Sequence, residues 1–401
     1  ARFMRETLNL AVIGRARQGK SRLLQSASGL SEQEIPTGNL GACTGVRSTI
    51  MHNAQESYAQ VFYYTEREFL DRVLALYYEE LQLGPVPPSI DQFALRPLPG
   101  LPKHFIGYKT AEARYEHLKR YKAHIPAYRS LIDHPPYRVE DLRNVREYVA
   151  QLTADGRDLY NHYAVREVQI FCPFPYANDV EQVAFIDMPG LGDTGMGDEE
   201  RLMKALGEDL DIALVVRKPA AGGDLRQADT DLFFYDTAQK PLRDLLPFHR
   251  WAFLVLNRTE DPVMGDNLMN CKDLQAFLNA SDADKAFVES MIVDCSKPDK
   301  VNELILEPVL RYLLKNIRQL DEQYVQACQE GLQRLQANVA NELTKAVAIF
   351  SKASIDNEDH NLFQRRFMET WNRLMDNLVA LLKTLAQKSN TPDPDLCKSF
   401  E

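Results

Sequence analysis

Residues Gly14-Arg15-Ala16-Arg17-Gln18-Gly19-Lys20-Ser21 set two glycines, a lysine and a hydroxyl at fixed spacing. That pattern suits the cradling of phosphate. Gly14 and Gly19 let the backbone curl so that successive N–H groups point at anionic oxygens, where a Cβ would obstruct them. Lys20 can reach the β- and γ-phosphates of a nucleoside triphosphate, and the Ser21 hydroxyl can hold Mg²⁺. Gln18 and Arg22 flank the cradle and join the candidate binding set. Such a loop works only between a strand and a helix. The apolar run Leu8 to Ile13 supplies the strand, and a helix beginning near Lys20 turns its positive end to the anion.

Further chemistry-bearing groups close other apolar runs. Val183 to Asp187 reads as a buried strand continued by Met188-Pro189-Gly190. An acid at the carboxyl end of a strand beside the loop can hold Mg²⁺, and Gly190 can offer an open N–H to the γ-phosphate. Arg250 to Leu256 is strand-like and runs into Asn257-Arg258-Thr259-Glu260-Asp261. Met291 to Val293 is another such run, ending in Asp294-Cys295-Ser296-Lys297. Between the first loop and Asp187 lies a glycine-rich segment, 36–47, that holds Thr44 and Thr37. A threonine there closes over Mg²⁺ while γ-phosphate is present and releases on hydrolysis. Thr44, just before the extended stretch Val46 to Met51, is favoured; Thr37 is the alternative.

Asp-x-Pro-Gly resembles the signature that separates GTPases from most ATPases. The Asn257 segment resembles the Asn-Lys-x-Asp element, in which a carboxylate accepts two hydrogen bonds from the guanine edge. Here Arg258 replaces the lysine, and the acid is Glu260 at the family spacing or Asp261 one residue later. Ser296-Lys297 is similar to the Ser-Ala-Lys loop that contacts the base. In this order the elements look like the dynamin superfamily of large GTPases over residues 5 to 318. Tyr58 to Leu70, a strand running into a helix, is also similar to bacterial dynamin-like chains. Val165 to Pro173 followed by the Asp187 strand reads as a hairpin of the same kind.

The resemblance implies Mg²⁺-dependent hydrolysis of GTP to GDP and phosphate, with self-association through the GTPase domain and its helices. It leaves peripheral membrane contact open. Two departures matter. Leu191 stands where small GTPases place a water-orienting glutamine, a change that dynamin-like enzymes share, and an apolar side chain cannot polarise water. Arg17 stands where dynamins proper have a small polar residue. The pattern Gly-x-x-Arg-x-Gly-Lys-Ser looks like guanylate-binding proteins and atlastins, whose loop arginine is an internal finger; a solvated arginine that only aids affinity is the other reading. Two further functions stay open: a GTP-gated binding module with negligible hydrolysis, and a P-loop ATPase allowed by the degenerate base element.

Composition fits a large enzyme. The chain has 401 residues, 45% hydrophobic content and net charge −10, which argues against nucleic acid as the main partner. No apolar run reaches the roughly 18 residues of a membrane span. Six cysteines without metal-ligand spacing, and no signal-like segment before the first strand, lead to the expectation of a cytoplasmic protein. Beginning at Ala1 so near the first strand, the chain reads as a fragment or a trimmed form.

The expected fold is α/β: a doubly wound P-loop sheet in residues 1–318, with a long, partly helical insertion at about 84–163. Within it, the proline-rich stretch from Gly84 to Pro102 is a stiff connector, and Lys109–Leu131 and Val139–Leu159 are predicted helices. Irregularly spaced histidines there do not suit a metal. Residues 319–401 form the helical hairpin or bundle segment. Leu320, Tyr324, Cys328, Leu332 and their successors mark one apolar face, and Phe363, Phe367, Trp371 and Leu374 begin a second.

Overall fold

The computed structural model describes residues 7–15, 17–35, 46–153, 155–176, 182–187, 210–219, 248–261, 265–280, 287–352, 364–377 and 379–380. Thr37, Thr44, Gly190 and Leu191 lie outside the described residues. In chain order the strands are β1 (Leu8–Ile13), β2 (Arg47–His52), β3 (Tyr58–Tyr63), β4 (Tyr137–Val139), β5 (Val165–Cys172), β6 (Val183–Asp187), β7 (Ile212–Arg217) and β8 (Ala252–Asn257). A two-residue pair, β9 (Glu260–Asp261) and β10 (Gly265–Asp266), precedes β11 (Ser290–Val293).

Nine of these form one sheet in the order β11-β8-β7-β1-β6-β2-β5-β3-β4. From β11 to β6 all neighbours are parallel. β2 then runs antiparallel to β6, pairing Ser48 with Asp187, and the remaining strands continue as β5 parallel to β2, β3 antiparallel to β5 and β4 antiparallel to β3. The two halves differ in burial for a physical reason. A parallel sheet is covered on both faces, so β6, β7 and β8 are buried at every position. An antiparallel extension can leave one face half-solvated, and β3 alternates buried with half-buried residues throughout. Full burial of a side chain such as Leu10 or Phe253 is worth about 1.5–3 kcal/mol, so these central strands fix where their terminal loops emerge.

Two sequence expectations are corrected here. β5 and β6 do not form a hairpin, because β2 lies between them and pairs with both. The ten-residue connection 173–182 is longer than the two to five residues of an ordinary hairpin loop, long enough to pass the end of an intervening strand. Nor is 139–159 a helix. β4 ends at Val139, and only a 3₁₀ turn (Leu142–Val145) and one short helix (Arg146–Val149) follow. Asp141 begins the turn by accepting the Arg143 N–H, and the chain then doubles back through a Leu152–Asp158 bridge. Thr153 and Gly156 (φ 83°) shape that bend, which a helix would not tolerate.

The helices are α1 (Lys20–Ser28), α2 (Glu66–Phe69), α3 (Ala75–Glu80), α4 (Ile90–Leu95), α5 (Lys109–Ala123), α6 (Ile125–Tyr128), α7 (Arg146–Val149), α8 (Leu268–Ala280), α9 (Pro298–Val301) and α10 (Glu307–Lys352). Thr65 and Glu68 start α2 with a reciprocal capping box. Contacts divide the chain into two units, residues 1–329 and 330–401. In the first, the stripe of α10 is buried at Leu313, Leu320 and Ala327; in the second, Leu335 and Val347 of the same helix are exposed, as are Phe367 and Leu374 of the helical stretch 364–377.

Candidate functional site

Because β1, β6, β7, β8 and β11 are parallel, their carboxyl ends share one edge of the sheet, and the loops carrying the candidate residues gather there. After β1, the backbone turns through Gly14 (φ 154°), Arg17 (φ 64°) and Gly19 (φ 108°) into α1. Both glycines are required by their neighbours as well as by their dihedrals. A Cβ on Gly14 would lie 2.5 Å from the Val216 carbonyl oxygen, and one on Gly19 would lie 2.1 Å from Asn257 Nδ2. Arg17 takes a left-handed conformation that costs a non-glycine residue about 1–3 kcal/mol, and strain of that kind concentrates at working sites.

Lys20, the first residue of α1, is buried, and its Nζ donates to the carbonyls of Gly14 (2.8 Å) and Arg15 (3.0 Å). The ammonium therefore sits across the loop. No acid occupies the first turn of α1, so nothing there opposes the helix dipole's attraction for an anion. Ser21 is half-buried beside Lys20, and the Arg17 side chain is exposed. Arg22 turns instead to Glu32, in an exposed ion pair of 3.8 Å. Gln18 accepts the Lys218 N–H through Oε1 at 2.6 Å, which ties the loop to the end of β7.

Asp187 closes β6, in register with Val12 of β1 and Ser48 of β2. It is 2% exposed, and its Oδ1 has no hydrogen-bond partner among the described residues. Burial pushes the carboxyl up to about 6, against the opposing pull of the Lys20 ammonium. An orphaned carboxylate oxygen within the field of one lysine suits a divalent cation, which would satisfy the lone pairs and keep the group ionised. Among the described residues Asp187 is the carboxylate placed for such an ion, and no cluster of three or more His, Cys, Asp or Glu side chains stands with it.

The base-side loops are tied to the cradle by one amide. Asn257, 4% exposed at the end of β8, donates from Nδ2 to the Gln18 carbonyl (2.9 Å) and accepts the Cys295 N–H at Oδ1 (3.2 Å). Both ends of this side chain are bonded to backbone of other loops. Arg258 reaches Asp266 at 2.6 Å and Glu260 at 2.8 Å, closing the β9–β10 pair across an exposed surface. Glu260 is thus bound to its own neighbour, while Asp261 pairs with Gly265 in the strand. Ser296 folds back, its N–H and hydroxyl both donating to Asp294 Oδ1, and Lys297 is exposed ahead of α9.

Several residues that hold these loops escape sequence reasoning. Ser26 of α1 donates to the Cys295 carbonyl at 2.8 Å, which fixes the loop after β11 against α1. Asn267 accepts the Thr259 N–H and donates to the carbonyls of Pro219 and Asn257, buckling the ends of β7 and β8. Asp211 accepts the Asn9 N–H and so sets the start of β7 against β1. Polar residues adjoining apolar strands were the available signal, but their partners are distant in sequence.

No family model matches the chain, and no curated protein matches it. Two solved structures of an oligomerised bacterial dynamin pair, described as a mechanism for the long-range sensing and tethering of membranes, are similar to it. Their identities are 13% and 12%, with TM-scores of 0.43 and 0.42, over 96% and 94% of this chain. The chain spans 61% and 48% of the lengths of those two proteins.

Proposed function

We infer that the chain is a Mg²⁺-dependent GTPase of dynamin-like organisation, converting GTP to GDP and phosphate. One observation carries the reading. A lysine lying across a glycine loop stands beside a buried acid with an orphaned oxygen, on adjacent strands of a parallel sheet. On nucleotide binding, Lys20 exchanges its two loop carbonyls for β- and γ-phosphate oxygens, and the amides of Gly19 and Lys20 complete the cradle. Ser21 and Asp187 would hold Mg²⁺, with Thr44 as the switch ligand, and the ion would supply charge neutralisation to the phosphates. Arg17 supplies transition-state charge, a role made necessary by Leu191, and Gly190 reads the γ-phosphate.

On the base side, Asn257 holds the guanine loops to the cradle, and Glu260 or Asp261 reads the guanine edge, with Ser296 and Lys297 beside it. A specific observation keeps the ATPase reading in view: Arg258 already engages Glu260, leaving its carboxylate less free for a base. The long helix offers a route for the output. Lys297 leads straight into α9, a π-helical turn (Asn302–Leu306) and α10 without a break in the helical run. A shift of the nucleotide loops is therefore passed directly to that helix.

Titration with GTP, GDP and ATP, with phosphate release read in parallel, tests the assignment. Tight GTP and GDP binding with GTP turnover supports it. Binding without turnover would make the chain a GTP-gated module, and equal use of ATP would remove the guanine assignment.

A further inference from the structure

The strap of residues 95–109, which runs from the end of α4 to the start of α5, lies in a basic stretch that is unlike the rest of this chain. Residues 92–123 carry seven lysines and arginines and only two acids, Glu112 and Glu116, a net of +5 inside a chain of −10. The remainder is therefore at −15. Three of the largest exposed apolar side chains stand on the strap: Leu95 at 79%, Ile106 at 63% and Tyr108 at 67% exposure. Beside them Arg96, Lys103 and Lys109 are exposed, with no acid partner among the described residues.

The strap is also held firmly. The Lys122 ammonium binds the carbonyls of Phe93 and Ala94 at one end, the Tyr115 hydroxyl donates to the Pro99 carbonyl at 2.8 Å in the middle, and the Gly107 N–H donates to Glu112 at 2.9 Å at the other. It consequently runs back along α5. Pro97, Pro99 and Pro102 stiffen it, while Leu98, Leu101 and Phe105 pack inward against the core. Leu95, Ile106 and Tyr108 remain outside although apolar neighbours in the same strap are half-buried against the core. An exposed apolar set fringed by unpaired cations on a prestiffened segment fits the boundary between headgroups and acyl chains.

We propose that residues 95–109 form a docking surface for an anionic lipid bilayer, with Leu95, Ile106 and Tyr108 entering the interface and Arg96, Lys103 and Lys109 meeting lipid phosphates. The net negative charge of the rest of the chain restricts electrostatic attraction to this face. The proposal uses none of the residues assigned to the nucleotide loops, so it does not depend on the GTPase reading.

Co-sedimentation of the full chain with vesicles tests it. One set of vesicles is pure phosphatidylcholine, and the other contains about a third phosphatidylglycerol. Wild type is expected to sediment with the anionic vesicles only, and to be released in part by salt. Reversing the three cations (Arg96→Glu, Lys103→Glu, Lys109→Glu) should weaken binding at least about tenfold, given the worth of each cation at a charged surface. Leu95→Ser, Ile106→Ser and Tyr108→Ser together should leave only weak, fully salt-sensitive binding. Leu314→Ser, at an 86% exposed leucine of α10, should change nothing. Circular dichroism and urea unfolding without vesicles verify that the strap variants fold. No sedimentation of wild type, equal binding to neutral vesicles, or strap variants that bind like wild type would overturn the proposal. Specific capture of an acidic protein by the same residues, with no vesicle binding, would overturn it in favour of a protein partner.

Discussion

Asn257 offers the most direct test of how the site is assembled. Replacing it by alanine removes two hydrogen bonds and leaves a carbonyl at Gln18 and an N–H at Cys295 without that partner. Cys295 is fully buried, so its N–H has no ready access to water. Each such loss costs about 1–3 kcal/mol, with the partly buried Gln18 bond at the low end, so Asn257→Ala should lose about 2–4 kcal/mol of stability. Urea unfolding reads this as a lower midpoint at unchanged slope. GTP affinity should fall by about tenfold or more, since about 1.4 kcal/mol of lost loop order suffices for that. Asn257→Asp separates the two bonds. It keeps the acceptor for Cys295 but faces the Gln18 carbonyl with an oxygen, so it should be no more stable than alanine at neutral pH. Acid should restore part of that loss, because the protonated carboxyl can donate where the amide did. Both variants within about 0.5 kcal/mol of wild type, with GTP affinity intact, would refute the account of Asn257 as the tie between loops.

The remaining expectations concern charge. Lys20→Ala should keep the fold, because the lysine donates to carbonyls of its own loop rather than bridging core elements, yet lose most nucleotide affinity; calorimetric titration with GTP that matches wild type would remove the phosphate-loop assignment. Arg17→Ala should bind GTP almost normally and hydrolyse it at least about a hundredfold more slowly, the low side of what a finger contributes. Turnover within a few-fold of wild type would leave Arg17 a surface charge. His162 is held down to about 4 by burial, with His117 adding repulsion. An unfolded histidine titrates near 6.5, so the unfolded chain takes up this proton first. Stability is therefore complete above about pH 6.5 and falls as pH drops towards 4, by at most about 3 kcal/mol. Unfolding curves at pH 7.5, 6 and 5 should converge between wild type and His162→Gln at the alkaline end only in slope; an equal pH dependence in both would assign the loss elsewhere.

Much of the fold could be read from the chain because its central strands are buried on both faces. β1, β6, β7 and β8 appear as continuous apolar runs, and the glycines after β1 mark the one loop that must curl. Sheet order was less legible. Nothing in residues 47–52 reveals that β2 enters between β6 and β5, since strand pairing is a property of distant segments and β2's neighbours begin more than 100 residues later. The same limit hid the site's ties. Gln18 meets Lys218 and Asn257 across 200 and 239 residues, and no local pattern distinguishes these amides from solvated ones. At Arg258 the residue type was informative in another way. Its planar fork takes Glu260 and Asp266 together, a geometry that a lysine ammonium would not reproduce.

These ties also bear on how the site would signal. The Gln18 carbonyl, the Asn257 amide and the Cys295 backbone form one chain of hydrogen bonds, and Ser26 closes it by returning from Cys295 to α1. The phosphate loop and the base loop therefore cannot shift independently without breaking a buried bond. Three residues after Cys295 the helical run towards α10 begins at Pro298, with only Ser296 and Lys297 between. A stiff loop feeding a continuous helix converts a small displacement into a rotation of the helix axis, whereas a glycine-rich linker would absorb it. The π-helical turn at Asn302–Leu306 is the one interruption of α-helical geometry along that path, and such turns recur at functional hinges. Coupling of this kind needs only that a bound ligand favour one arrangement of the tied loops over the other.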